Sequence, residues 1–170
     1  MKKILFYLFV FTNILFSNAI GEIAYIDINY ILKTSEVGKH LNSHISKKKD
    51  QFLKKFELIE NELIKKEKSL LAQQNILSKE EFENKAKLLT KEVQDYKKNK
   101  QSNIEDLNQL KIEKTKEILK ALNPIIANYV DINSISIVMP KKNIIVGKKN
   151  LDITEKILNL LNKNIVKLNF

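Results

Sequence analysis

Between Ser35 and Tyr129 the apolar residues recur three and four positions apart. Ile45, Phe52, Phe56, Ile59, Leu63 and Leu70 trace one stripe; Phe82, Ala86, Leu89, Val93 and Tyr96, then Leu107 and Leu110, trace a second. This is heptad spacing, which lines one narrow seam along a helix and leaves the remaining faces to Lys, Glu, Gln and Asn. The pattern breaks near Ala72–Leu77, and Ser78-Lys79-Glu80-Glu81 restarts it as a capping box. Two helices of roughly 39 and 45 residues are expected, each about 60 Å long at 1.5 Å per residue. Similar lengths and a short connection predict an antiparallel hairpin. The alternative, one continuous parallel coiled coil, conflicts with a cap in mid-chain.

Folding the chain back at residue 76 sets a register: Leu70 opposite Phe82, Leu63 opposite Leu89, Ile59 opposite Val93, Phe56 opposite Tyr96. Nearer the base of the hairpin the seam turns polar, with Phe52 meeting Lys100 and Lys49 meeting Asn103. A lysine or asparagine at a seam position costs stability, so a soft point is expected there unless the lysines reach out to water.

On either side of the hairpin the period changes to two. Ile23–Ile28 reads as a strand, and a strand must pair its backbone groups. Asn123-Pro124 marks a kink or a fresh helix start, with helix continuing to about Val130. "SISIVM" and "NIIVG" then read as two strands, Ile135–Met139 and Ile144–Val146, around the turn Pro140-Lys141-Lys142-Asn143. Asp152-Ile153-Thr154-Glu155 reads as a capping box opening a helix whose apolar face is Ile153, Ile157, Leu160 and Leu161. The fold class expected is α+β, mostly α. Residues 20–34 and 123–170 form a β-body base, and the hairpin arm, residues 35–122, is inserted between its strands. The body residues are Ile23, Tyr25, Ile26, Ile28, Ile135, Ile137, Val138, Ile144, Ile145 and Val146. Three short strands and one helix make a poor core with exposed edges. Association of several bases into one closed body would repair both faults.

Composition agrees with long helices: 170 residues carry only three Gly and two Pro. The formal net charge of +10 comes entirely from lysine, because no arginine is present. Arginine is the preferred fork for phosphates and base edges, so its absence speaks against sequence-specific nucleic-acid binding. The first 19 residues, "MKKILFYLFVFTNILFSNA", have the charged, apolar and small-x-small order of an export signal, with cleavage expected after Ala19. Its apolar run is short for a span, though retention as an inner-membrane anchor is the alternative. No cysteine is present, which excludes a disulfide scaffold and leaves packing or oligomerisation to stabilise an exported chain.

In order and spacing the chain resembles the Skp (OmpH-like) family of periplasmic chaperones. The carriers are an exported start, then "IAYIDINYILKTSEVGK" with its strand, Asp, helix and S-x-x-G-K opening. A charged hairpin and "NPIIANYV" follow, then the close "SISIVMPKKNIIVGKKNLDITEKILNLLN". The family often carries a glycine turn and an acidic run where this chain has "VDINSISIVMPKK". The resemblance implies a homotrimer, with three bases in a joint β-body and three arms around a cavity. It also implies an ATP-independent holdase in the periplasm of a Gram-negative bacterium, keeping unfolded outer-membrane proteins from aggregating on their way to the outer membrane. Thirty lysines less Lys2 and Lys3, against twenty acids, leave +8 on the mature chain, which would speed capture of acidic clients. The same lysines would suit lipopolysaccharide or an anionic membrane surface. A structural or tethering coiled coil of the envelope is the competing reading, and the strand-rich base argues against it.

No catalytic constellation, phosphate loop or nucleophile elbow is present, so no enzyme activity and no cofactor are expected. Glu36, His40 and His44 fall four apart, but Glu36 and His44 lie about 12 Å apart along a helix and cannot share an ion. They read as a polar flank rather than a metal site. The apolar residues that a two-helix seam does not cover, Leu53, Leu58, Ile64, Leu71, Leu77 and Leu88, with Lys54, Lys65 and Lys87 beside them, are the expected client contacts. Replacing Leu53, Ile64 and Leu88 with Ser is expected to weaken client capture.

Overall fold

The computed structural model describes residues 22–164. The leader read at residues 1–19 lies outside them. In chain order the elements are β1 (Glu22–Ile26), α1 (Ile28–Thr34), α2 (Glu36–Ala72), α3 (Lys79–Ile132), β2 (Ile135–Pro140) and α4 (Thr154–Asn164). Single 3₁₀ turns cover Lys141–Asn143 and Lys149–Leu151.

β1 and β2 pair in parallel, with Ala24 beside Val138 and Tyr25 beside Met139. Parallel neighbours need a crossover connection, and here the crossover is the entire hairpin: out along α2, back along α3. The first strand therefore finds a partner in its own chain across more than a hundred residues.

β1 is shorter than its pattern suggested. It ends at Ile26, because Asp27 caps α1 by accepting from the Tyr30 amide at 2.9 Å. Ile28 is thus the first residue of a helix, not the last of a strand. The Asp27 amide donates to Thr154 Oγ1 at 2.9 Å, which fastens α1 to the start of α4. Ser35 then caps α2 by accepting from Gly38 N at 3.1 Å. A Cβ on Gly38 would stand 1.9 Å from the Leu32 carbonyl oxygen, so the α1–α2 corner closes only over glycine.

The second expected strand after the hairpin, Ile144–Val146, is irregular chain instead. Within one chain it has no free edge of β1 to join. β1 holds β2 on one side, and on the other Tyr25 bridges to Asp152 and accepts from the Ile153 amide at 3.0 Å. Rather than turning back beside β2, the chain crosses the Tyr25 ring, whose hydroxyl donates to the Lys148 carbonyl at 3.2 Å. Ile145 and Val146 are left 99% and 90% exposed.

Two end signals also resolve differently from their reading. α3 runs through Pro124 to Ile132 without a fresh start. Pro124 removes the bond to the Lys120 carbonyl, but both residues are exposed, so water can take that acceptor, while Ile118 and Leu122 on one side and Ile125 and Ile126 on the other pack into the core. The segment Asp152–Glu155 is not a capping box. Asp152 accepts from the Thr154 amide two residues on at 3.0 Å and from Lys141 Nζ at 2.7 Å. The Glu155 carboxylate instead raises the pKa of Tyr30.

The core gathers Ala24 and Ile26 from β1, Ile31 from α1, Val37 and Leu41 from α2, Ile118 and Leu122 from α3, and Ile153, Ile157, Leu158 and Leu161 at α4. The roots of the arm are therefore part of the base. Asn162 Oδ1 accepts from the Glu36 amide at 2.9 Å, binding the far end of α4 to the first turn of α2.

Candidate functional site

Beyond that core the arm is a bare pair of helices. The heptad positions are its half-buried ones: Phe52, Ile59, Leu63 and Leu70 on α2, and Phe82, Ala86, Leu89, Val93 and Tyr96 on α3, with Ile45 packed against the base. Phe56 alone is fully buried, and its ring meets Tyr96 edge-on at 5.9 Å. The turn is closed by Ser78, whose hydroxyl and backbone bond Glu81 reciprocally; the Ser78 hydroxyl lowers the pKa of that carboxylate.

The two open faces of the hairpin differ. One is bridged by polar pairs: Lys66 meets Glu92 at 2.6 Å and Lys85 Nζ donates to Gln73 at 3.1 Å. A small groove of about 300 Å³ there takes in Leu88. The other face carries the Tyr96–Glu60 bond and an open groove of mixed lining beside it. Ile64 and Leu71 line a groove of about 640 Å³ with Phe82, Ala86 and Val93 at its floor. Leu53 and Ile64 line a neighbouring one of about 360 Å³ with Phe56 and Lys100.

The candidate client residues thus divide. Leu53, Ile64 and Leu71 come together on the face opposite the Lys66–Glu92 pair and are exposed. Leu88 lies on the bridged face, near exposed Lys87. Leu58 is exposed but lines neither groove, Leu77 is half-buried in the turn, and Lys54 and Lys65 are exposed. Ile76 at the tip, 81% exposed, and Ile104 on α3 are further exposed apolar residues that the heptad reading passed over. Their signal was the same as for Leu53: an apolar side chain off the seam.

Lys100, read as an intruder in the seam, has partners. It donates to the Tyr96 hydroxyl at 3.1 Å, approaches Glu60 at 3.7 Å and stands 5.4 Å from the Tyr96 ring centre. Tyr96 in turn donates to Glu60 at 2.6 Å. That bond first, and the Lys100 charge second, lower the Glu60 pKa. Lys49 is exposed, and Asn103 turns to its own helix, donating to the Asn99 carbonyl at 2.7 Å. Glu36 pairs with Lys39 at 3.1 Å. Among the described residues no group of three or more His, Asp or Glu is placed to hold a metal, and no helix is long and apolar enough to cross a membrane.

Residues 22–161 match the family model of the outer membrane protein (OmpH-like) family. In fold the chain is similar to the crystal structure of an OmpH-like protein from Caulobacter crescentus CB15 assigned as an outer membrane chaperone. The TM-score is 0.82 and the identity 16%, with 91% of each chain covered. No curated protein matches the chain.

Proposed function

Because the chain belongs to the OmpH-like family, we propose that it is an ATP-independent holdase chaperone of the Gram-negative periplasm. Its clients would be unfolded outer-membrane β-barrel proteins, kept from aggregating during transit. The observation that carries this reading is the arm itself: a long hairpin, rooted in a packed base, that leaves Leu53, Ile64 and Leu71 exposed along one face among charged side chains. Scattered exposed apolar side chains on a long surface suit many weak contacts with an unfolded chain. The +8 charge would draw acidic clients and would also suit lipopolysaccharide or an anionic membrane surface.

The working unit in this reading is a homotrimer, soluble after signal cleavage near Ala19. Among the described residues no strand lies on the outer edge of β2, and Ile23, Ile137, Ile145 and Val146 are exposed around the sheet. Apolar side chains beside open strand edges are what joining several bases would cover.

Sedimentation of the mature chain with an outer-membrane barrel diluted from urea tests the proposal. Three copies with one soluble client, and a trimeric free chain, are expected. A client that pellets while the chain stays soluble and folded sinks the holdase and favours a tether. Leu53, Ile64 and Leu71 changed together to Ser should lose more capture than Leu58 and Leu88 changed together; equal losses would remove that face from the assignment.

A further inference from the structure

The arm between Ile45 and Lys114 has one fully buried side chain among the described residues, Phe56. It lies nearly midway along α2, and Tyr96, Glu60 and Lys100 meet beside it. Tyr96 packs its ring edge-on against Phe56 and gives its hydroxyl proton to Glu60. Lys100 donates to the same hydroxyl from one helical turn away, and reaches both the Glu60 carboxylate and the Tyr96 ring. The hydroxyl is therefore donor and acceptor at once: its bond to Lys100 stays within α3, and its bond to Glu60 crosses to α2.

We propose that Phe56, Tyr96, Glu60 and Lys100 form a clasp that pins α2 to α3 at mid-arm and holds the outer half shut. Beyond it Leu63, Leu70, Phe82, Leu89 and Val93 are each only half-buried, so the outer seam itself contributes little burial. Toward the base no second lock follows, since Lys49 is exposed and Asn103 bonds its own helix. Opening the clasp would uncover the Phe56 and Tyr96 rings, apolar surface that the closed arm keeps inside.

Amide exchange of the purified chain, read by mass spectrometry, tests the clasp without any client, so it stands or falls apart from the holdase reading. Tyr96→Phe keeps the ring and removes only the hydroxyl. Exchange across residues 56–93 is expected to rise about threefold or more, with α4 and β1 unchanged. Lys66→Ala, which removes the exposed Lys66–Glu92 pair of the same arm, should change the same peptides by less than about twofold. Glu60→Gln in the Tyr96→Phe background should add little to Tyr96→Phe, because beyond the shared bond it removes only the exposed 3.7 Å contact with Lys100. Protection after Tyr96→Phe equal to wild type or to Lys66→Ala overturns the proposal, as do strictly additive effects of the pair.

Discussion

The base and the arm are held together by different means. In the base, β1, α1, α4 and the roots of α2 and α3 enclose eleven buried apolar side chains in one cluster. Side chains such as Asp27, Thr154 and Asn162 tie the elements to one another's backbones. In the arm, two helices share a half-buried stripe, and burial is complete at Phe56 only. A pair of helices has no third element to cover the flanks of its seam. The difference is therefore geometric, and it divides the labour: the base supplies a fixed root, the arm supplies surface.

The largest way to break that contrast is at the corner where the two meet. Gly38→Ala would place a methyl 1.9 Å from the Leu32 carbonyl oxygen. The backbone there is pinned by the Ser35 cap and by the Glu36–Asn162 bond and has little room to shift. A loss of about 4 kcal/mol, or failure to fold, is expected in chemical denaturation at fixed protein concentration. A variant as stable as the parent would mean that α1 and α2 are not rigidly joined, and the base would cease to be a fixed root.

Matched truncations sharpen the same point. Ile157→Ala removes a side chain with no exposure and should cost about 3 kcal/mol. Leu63→Ala removes a half-buried seam residue, whose place water can fill, and should cost roughly 1 kcal/mol. Equal costs would show that the seam is as well packed as the base, and the description of the arm as mostly surface would have to go.

How much of this was legible beforehand also divides along the base–arm line. The arm repeats a local rule, so the heptad stripe gave both helices, and Ser78 with Glu81 marked the turn. The pairing of Phe56 with Tyr96 is among the contacts observed. The base is an assembly of segments distant in sequence, and there local patterns misled. Ile144–Val146 alternates like a strand, yet it pairs with neither β1, whose second edge Asp152 and Ile153 hold, nor β2, because the chain crosses the Tyr25 ring instead of turning back. Asn123-Pro124 looks like a helix start, yet flanking core residues carry α3 through it. Lys100 looked like a fault in the seam because its partners, Glu60 and the Tyr96 hydroxyl, are set by the third dimension. The grooved face of the arm was half legible: off-seam apolar residues were named, but which of them share a face depends on how the helices cross.

The smallest expected effect compares one interaction in both regions. Lys141 and Asp152 meet at 2.7 Å in the base, Lys66 and Glu92 at 2.6 Å in the arm. The distances agree, but Asp152 is 19% exposed and Glu92 46%. Burial by itself would raise the Asp152 pKa. The Lys141 hydrogen bond, then those from the Thr154 side chain and backbone amide, outweigh it and leave the pKa lowered. A carboxylate with a lowered folded pKa contributes stability that is present above its unfolded value, near about 4, and lost as pH falls through the folded one. Lys141, raised chiefly by its hydrogen bond to Asp152, works at the other end: its share is present below its unfolded value and lost as pH rises through the folded one in strong base. Asp152→Asn should therefore lower the melting temperature at pH 7, and the difference from the parent should shrink below about pH 4. Lys66→Ala in the arm should leave the melting temperature nearly unchanged at either pH, because an exposed pair gains little in water. Thermal melts at pH 7, 5, 4 and 3 read both variants. A pH-independent gap for Asp152→Asn would mean that its bond to the Thr154 amide matters and its charge does not, and the base would then owe nothing to electrostatics that the arm lacks.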